Sequence, residues 1–339
     1  MQEIIAKIIR ERLSDASIIK LLDGAVIFKT ACSYDRLNFF CFSNIFAVID
    51  MQDADSAPGL HMRKIADAGK KGGTGAALSE KALAVISENN RKIKTFRLVC
   101  SVENRPASVS ESLRLDMENF IAEKSALKAD RSGADTEFWF LCRREGFSVF
   151  MKRLSNHGSK EKNLHRGELS PQLAWLLCRL GDLKPGETVI DPFCGYGSIP
   201  EAAVKHFPIG KFIASDTDSG CVKITRSRSA LKSARCEIRV ADVFAVSAFV
   251  PACSVDAVIT DPPWGMYRET KEPLGEFYSG LLALFAALLK PGGRAVILTA
   301  AADELKSAAG KTQELKLTQT YSILVSGKKA QVFVIRKEE

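Results

Sequence analysis

No apolar run in the chain reaches 18 residues, so no segment reads as a membrane span. Histidine is scarce, at four in 339 residues, and none of the nine cysteines belongs to a C-x-x-C pair. Neither residue type therefore offers a zinc or other metal centre. The odd cysteine count, with Cys100 and Cys178 set in apolar runs, points to reduced thiols and a cytoplasmic protein. The opening MQEIIAKIIRERL spreads charge through its apolar pattern, unlike a secretory signal. Two phosphate-binding signatures are missing as well. The glycine loop CGYGS at 194–198 has no third glycine for a GxGxxG fingerprint and no GK[ST] for a P-loop.

What the sequence does have is an ordinary globular composition, 46% apolar and 26% charged, in a length that calls for two or three domains. The net charge of +8 concentrates at residues 91–105 and 143–166. Clusters of this kind fit a polyanion, and the candidate contacts are Arg97, Arg105, Arg143, Arg144, Lys152 and Arg153.

The pattern divides into segments. Residues 1–60 read as a small βαβ-like module: helix 3–13, strand 24–30, helix 34–43, strand 45–51. Residues 53–75, ending in KKGGTGA, read as a loop or linker. Residues 77–155 follow as helix, strand, helix, strand, strand, with Ser79 and Ser110 as helix caps. Residues 156–182 hold a linker and an entry helix, with Ser170 as cap and Pro171 at its first position. Residues 183–339 alternate strand and helix, which predicts a parallel sheet covered on both faces; a terminal hairpin adds an antiparallel strand.

The third segment is organised around residues 189–203, VIDPFCGYGSIPEAA: a buried strand, a tight turn at Gly195 and Gly197, and a helix start. Asp191 leads the loop, a poor neighbour for phosphate and a good one for a cation. A ligand with a sulfonium and an ammonium group suits it. Asp216, Asp242 and Asp261 end the next three strands at spacings of 25, 26 and 19 residues. In an open α/β sheet, ligands bind outside the carboxyl ends of the strands. One strand-end aspartate is more often a cap or turn residue; four in order, the first with a glycine loop, reverse those odds. Asp216 falls where an acid accepts from ribose hydroxyls, with Asp218 the weaker choice and a helix cap by default. Asp242 is placed to accept from an adenine amino group.

Residues 261–265, DPPWG, are the catalytic candidate. Pro262 and Pro263 stiffen the backbone and remove two N–H donors. The Asp261 carboxylate and the Pro262 carbonyl remain as acceptors, beside the flat face of Trp264. A planar amino group on an aromatic ring needs that set: two acceptors for two hydrogens, and a platform for its ring.

These residues resemble a class I S-adenosylmethionine-dependent methyltransferase. DPFCGYG is similar to the first motif of that fold, and TDPPWG to the [NSD]-P-P-[YFW] motif of enzymes that methylate exocyclic amino nitrogens. Over nearly the whole chain, LHRGELSPQLAWLLCRL, KTFRLVCSV and FWFLCRREGFSVFMKRL resemble the THUMP-containing tRNA guanine-N2 methyltransferases. That resemblance implies a Rossmann-like catalytic domain at 183–339, a ferredoxin-like module at 1–60 and a THUMP-like RNA-binding domain at 77–155. It implies S-adenosyl-L-methionine held by Asp191, Phe193, Gly195, Gly197, Ser198, Asp216 and Asp242. It also implies a tRNA partner bound through its acceptor stem and end, with no metal, membrane or obligatory protein partner. Many members of that family carry Asn and then Tyr or Phe where this chain carries Asp261 and Trp264. The rival readings are an adenine-N6 methyltransferase acting on RNA or DNA, a non-catalytic RNA-binding protein retaining the fold, and a protein glutamine methyltransferase.

Overall fold

The segments TVID, KFIASD, VDAVIT and RAVILT are too evenly apolar to leave either face in water, and both faces of each are covered. In the computed structural model the chain forms two units, Met1–Cys41 with Lys160–Glu339, and Phe42–Ser159. The structure describes residues 2–339 except 23, 34–40, 43, 54–57, 69–77, 89–91, 104, 144–145, 156–163, 266–271 and 326. Most of the helix expected at 34–43, the KKGGTGA stretch, Arg91 and Arg144 therefore lie outside the described residues. Among the described residues no helix is long and apolar enough to cross a membrane.

The first unit opens with α1 (Gln2–Arg12) and an antiparallel hairpin of β1 (Ser17–Leu22) and β2 (Ala25–Lys29). The second unit contains β3 (Phe46–Asp53), α2 (Pro58–Ala68), α3 (Glu80–Ser87), β4 (Thr95–Val102), β5 (Arg105–Pro106), α4 (Glu111–Ser125), β6 (Lys128–Ala129), β7 (Thr136–Arg143) and β8 (Phe147–Arg153). Its six-stranded sheet runs β3-β8-β7-β4-β5, with β6 beside β4. Phe96, Phe138, Phe140 and Phe150 from the sheet pack with Met62, Ile65, Ile86, Met117 and Ile121 from the helices. Ser79 and Ser110 cap α3 and α4 through Ala82 N and Leu113 N.

Two segment readings change here. The module drawn at 1–60 does not hold together, because β3 pairs with β8 inside the second unit. A strand's local pattern shows that it is a strand and leaves its partner open. The stretch 53–75 is not all linker either: α2 buries Met62 and Ile65 despite its start at Pro58-Gly59.

One buried network in the second unit has the composition of a nucleophilic triad. Asp50 Oδ2 lies 2.8 Å from His61 Nε2, and Ser148 Oγ lies 2.6 Å from His61 Nδ1. Asp50, acting as acceptor, places the ring proton on Nε2, so Nδ1 accepts from Ser148. Ser148 is 0% exposed and His61 1%, which denies any substrate the hydroxyl and makes this a structural tie between α2 and the sheet. His61→Leu leaves the Ser148 hydroxyl buried without a partner. The expected loss is about 1–3 kcal/mol of stability for this unit, read by urea unfolding.

The first unit resumes with α5 (Pro171–Leu180), β9 (Thr188–Asp191), α6 (Ser198–His206), β10 (Lys211–Asp216), α7 (Ser219–Ser227), β11 (Cys236–Val240), β12 (Val255–Thr260), α8 (Leu274–Leu288), β13 (Leu289–Thr299), α9 (Ala302–Lys311), β14 (Leu315–Val325) and β15 (Lys328–Lys337). Ser170 caps α5 through Leu173 N, with Pro171 at its start. The seven-stranded sheet runs β11-β10-β9-β12-β13-β15-β14. The first five strands are parallel, and β15 is antiparallel to both neighbours. Chain order reverses between β9 and β12, so the crevice at a topological switch point falls beside Asp191 and Asp261. One face of this region is sealed by α8, whose Tyr278, Leu281, Leu282 and Phe285 are fully buried against Val258 and Ile297.

Candidate active site

The sheet order sets Asp242, Asp216, Asp191 and Asp261 at the carboxyl ends of four adjacent strands. Three strand spacings of about 4.8 Å spread them over roughly 15 Å. Asp191 is 1% exposed. Its Oδ1 accepts from Thr260 Oγ1 at 2.7 Å and from Phe193 N at 3.1 Å. Its Oδ2, equally buried, has no hydrogen-bond partner among the described residues. Burial pushes its carboxyl up to about 8, and the neighbouring Asp216 and Asp261 add to the rise.

The glycine loop bends on two positive φ angles, Gly195 at 48° and Gly197 at 89°. A Cβ at Gly197 would sit 2.8 Å from Thr225 Cγ2, whereas one at Gly195 meets nothing within 4 Å and faces open space. Asp216 holds this loop. Its Oδ2 accepts from Gly195 N at 2.8 Å and its Oδ1 from Asp218 N at 2.9 Å. Asp218 in turn caps α7 through Gly220 N and Cys221 N. Asp242 caps the short 3-10 turn Val243–Ala248 through Phe244 N at 3.0 Å. Beside it Val240 and Phe244 expose apolar side chains at the sheet's edge. Phe193 is half-buried with its ring 6.0 Å from Phe277. Ser198, expected to face a ligand, directs its hydroxyl at Glu168 Oε1 instead, 3.3 Å away.

At the end of β12, Asp261 is half-buried, and burial raises its carboxyl to about 7, against the hydrogen bond from Trp264. That bond runs from Trp264 Nε1 to Asp261 Oδ1 at 2.8 Å. Asp261 Oδ2 accepts none from the described residues. The Pro263 carbonyl accepts from the Tyr278 hydroxyl at 3.1 Å, and Pro262 beside it is buried.

Sequence reasoning passed over Thr260, Glu168, Arg228 and Tyr278. Arg228 donates to Tyr196 O at 2.5 Å in the glycine loop and pairs with both Glu168 and Glu201. It thereby ties the HRGEL segment to the loop, and His165 stacks on Tyr196 with ring centroids 4.3 Å apart. Tyr278 had a signal, as the lone hydroxyl-bearing aromatic in an apolar helix; such a group needs a partner when buried. Arg228 had none, since its partners lie 27, 32 and 60 positions away.

The basic residues of the second unit need correction. Lys152 is 4% exposed; its Nζ donates to Val85 O at 3.1 Å and to Glu88 O, closing the carboxyl end of α3. Burial pushes its ammonium down to about 8. Arg143 is 7% exposed and 3.8 Å from Glu103. Arg153 pairs with Glu137 and Asn44, and Arg97, more exposed, also pairs with Glu137. Counting charge along the chain could not separate inward-facing strand positions from outward ones. Among the expected contacts that are described, Arg105 is the exposed one with no such tie to another described residue.

The seven-stranded sheet with its antiparallel terminal hairpin, glycine loop and strand-end acids defines a class I, Rossmann-like methyltransferase. The chain belongs to UPF0020, the RMKL-like methyltransferase domain family, whose model matches residues 159–331. It is 40% identical over 146 residues to a tRNA (guanine(6)-N2)-methyltransferase of Thermus thermophilus, a match covering 42% of this chain and 43% of that protein. It is 27% identical over 158 residues to the U6 snRNA (guanine-N(2))-methyltransferase THUMPD2 of Bos taurus, covering 43% and 31%. The chain thus spans less than half the length of these curated relatives. TrmN from Thermus thermophilus has the same fold, with a TM-score of 0.74 at 22% identity over 99% of this chain and 96% of that one.

Proposed function

We propose that the protein transfers a methyl group from S-adenosyl-L-methionine to the exocyclic N2 amino group of a guanine in RNA, with tRNA as the substrate. The observation that carries this reading is the DPPWG loop at the switch point: Asp261 Oδ1 accepts from Trp264, Oδ2 accepts nothing from the described residues, and the neighbouring strand ends on a buried Asp191 oxygen with no partner among them; the Pro262 carbonyl is the second acceptor that this reading calls for. The names of the two relatives, both guanine-N2 methyltransferases of RNA, support the choice of base and of polymer.

The residues present fit the cofactor. A buried, unpartnered Asp191 Oδ2 suits an ammonium or sulfonium, and the open side of Gly195 gives it room. Asp242, with the exposed Val240 and Phe244, suits an adenine. When bound, S-adenosylmethionine supplies an electrophilic methyl group on a sulfonium. Asp261 and the Pro262 carbonyl take the two amino hydrogens and so aim the nitrogen lone pair. Trp264 offers its ring face to the base. A base within an acceptor stem must be flipped out to reach them, at a cost of a few kcal/mol. The second unit, with its THUMP-like order of elements and the exposed Arg105, is the part we assign to the tRNA end.

The test is nucleoside mass spectrometry of unmodified tRNA transcript incubated with the protein and the cofactor. N2-methylguanosine is expected. N6-methyladenosine would transfer the reading to its adenine rival, and no methylated nucleoside in any RNA would end it. A second expectation concerns the cofactor alone. Asp216→Ala frees the amides of Gly195 and Asp218, a loss of charge-assisted bonds of about 1.5 kcal/mol or more. Calorimetry should therefore show binding weaker by about tenfold, and unchanged binding would show that the loop holds its shape without Asp216.

A further inference from the structure

We infer that Tyr278, anchored by Thr299, is a positioning residue for the DPPWG loop; this rests on the proposed methyl transfer. A carbonyl only accepts, so the 3.1 Å contact between Tyr278 and Pro263 O uses the single hydroxyl hydrogen of Tyr278. The 2.6 Å contact between Tyr278 Oη and Thr299 Oγ1 must then run the other way, with Thr299 donating. Thr299 Oγ1 itself accepts from Ala301 N at 2.9 Å. The result is a one-directional relay: Ala301 N–H to Thr299, Thr299 O–H to Tyr278, Tyr278 O–H to the Pro263 carbonyl. Each bond in such a chain polarises the next.

The relay ties together three elements that no local sequence links. Tyr278 lies on α8 and Thr299 at the end of β13, and both are fully buried. Among the described residues, the other hydrogen bond that ties this loop is that of Trp264 to Asp261. The two prolines carry no N–H with which to fix their own turn. Holding the Pro263 carbonyl sets the peptide plane between Pro263 and Trp264, and with it the entry of Trp264; the ring of Pro263 fixes its φ, so its ψ alone then relates that plane to the one that carries the Pro262 carbonyl. Tyr278 touches neither reacting group on this reading; it acts through the backbone.

Three variants test it: Tyr278→Phe, Thr299→Val and Thr299→Ser. Tyr278→Phe and Thr299→Val should each lower kcat by about tenfold with cofactor affinity unchanged. Thr299→Ser keeps the hydroxyl and should turn over like wild type. A second readout needs no turnover. The chain has three tryptophans, so 5-fluorotryptophan labelling gives three 19F resonances, with Trp264 assigned by its own substitution. That resonance should shift or broaden in Tyr278→Phe and Thr299→Val and stay in place in Thr299→Ser. Folded Tyr278→Phe protein with wild-type kcat and an unshifted Trp264 resonance overturns the inference. So does a lowered Tm with kcat per folded molecule unchanged. If wild-type protein methylates no RNA, the proposed function falls and the 19F comparison still decides whether the relay holds the loop.

Discussion

Asp261→Ala should bind cofactor normally and transfer methyl roughly 10²–10³ times more slowly, the usual cost of removing a positioned charged acceptor from a shielded site. The carboxylate has two jobs on two oxygens. Oδ1 accepts from the Trp264 indole N–H at 2.8 Å, and Oδ2 is left for the target amine. Asp261→Asn is then no simple conservative change. An amide has one acceptor oxygen and one NH₂. If the oxygen faces Trp264, the NH₂ points a donor at a donor in the substrate. If it faces the substrate, the NH₂ meets the indole N–H. Asp261→Asn should accordingly be nearly as slow as Asp261→Ala. Adding Trp264→Phe removes the indole donor, frees the amide oxygen for the amine, and should restore part of the rate. Single-turnover transfer to tRNA transcript, with cofactor affinity measured alongside, gives the comparison. A double variant no faster than Asp261→Asn would show that the two side chains act independently. Asp261 and Trp264 make a matched pair on this account, which gives a physical reason for this chain to differ at both positions from the Asn and Tyr or Phe of the enzymes it resembles.

That pairing illustrates what the sequence carries and what it does not. The strand-end acids, the glycine loop and the caps at Ser79, Ser110 and Ser170 are local chemistry, and their elements fall where the pattern puts them. Asp261 and Trp264 are three residues apart, so their proximity was legible while the donor and acceptor between them was not. The sequence pattern offers Trp264 only as a flat face for the base. Long-range ties were invisible in principle: Asp191 with Thr260, Arg228 with Glu168, Tyr278 with Thr299. So was the burial of Lys152, because a lysine on a strand reads as surface until the helix that covers it is known. The helix α2 was lost for a different reason. Pro58 and Gly59 are common breakers, and here they form the first turn.

Cofactor affinity should rise with pH, roughly 20-fold between pH 6 and 7.5, because binding a cation beside Asp191 requires its carboxylate. Asp191 stands at about 8 in the protein, against 3.8 for a free aspartate, chiefly through burial and then through the charges of Asp216 and Asp261. The folded protein without cofactor therefore keeps a proton that the unfolded chain has lost. That contribution to stability is complete below about 3.8 and disappears as pH rises through about 8. A bound cation reverses the balance: it favours the ionised form, so the proton leaves as the cofactor enters. Below pH 7.5 the α-amino group of the cofactor stays largely protonated, so the slope belongs to the protein. Calorimetry in buffers of different ionisation enthalpy should report close to one proton released per cofactor at pH 6.5. Asp191→Asn should abolish both the release and the slope, while Asp261→Ala, which leaves Asp191 buried, should retain them. Affinity that stayed flat from pH 6 to 7.5 would mean that Asp191 is already ionised or is not the partner of the cation, and the unpartnered Oδ2 would need another explanation.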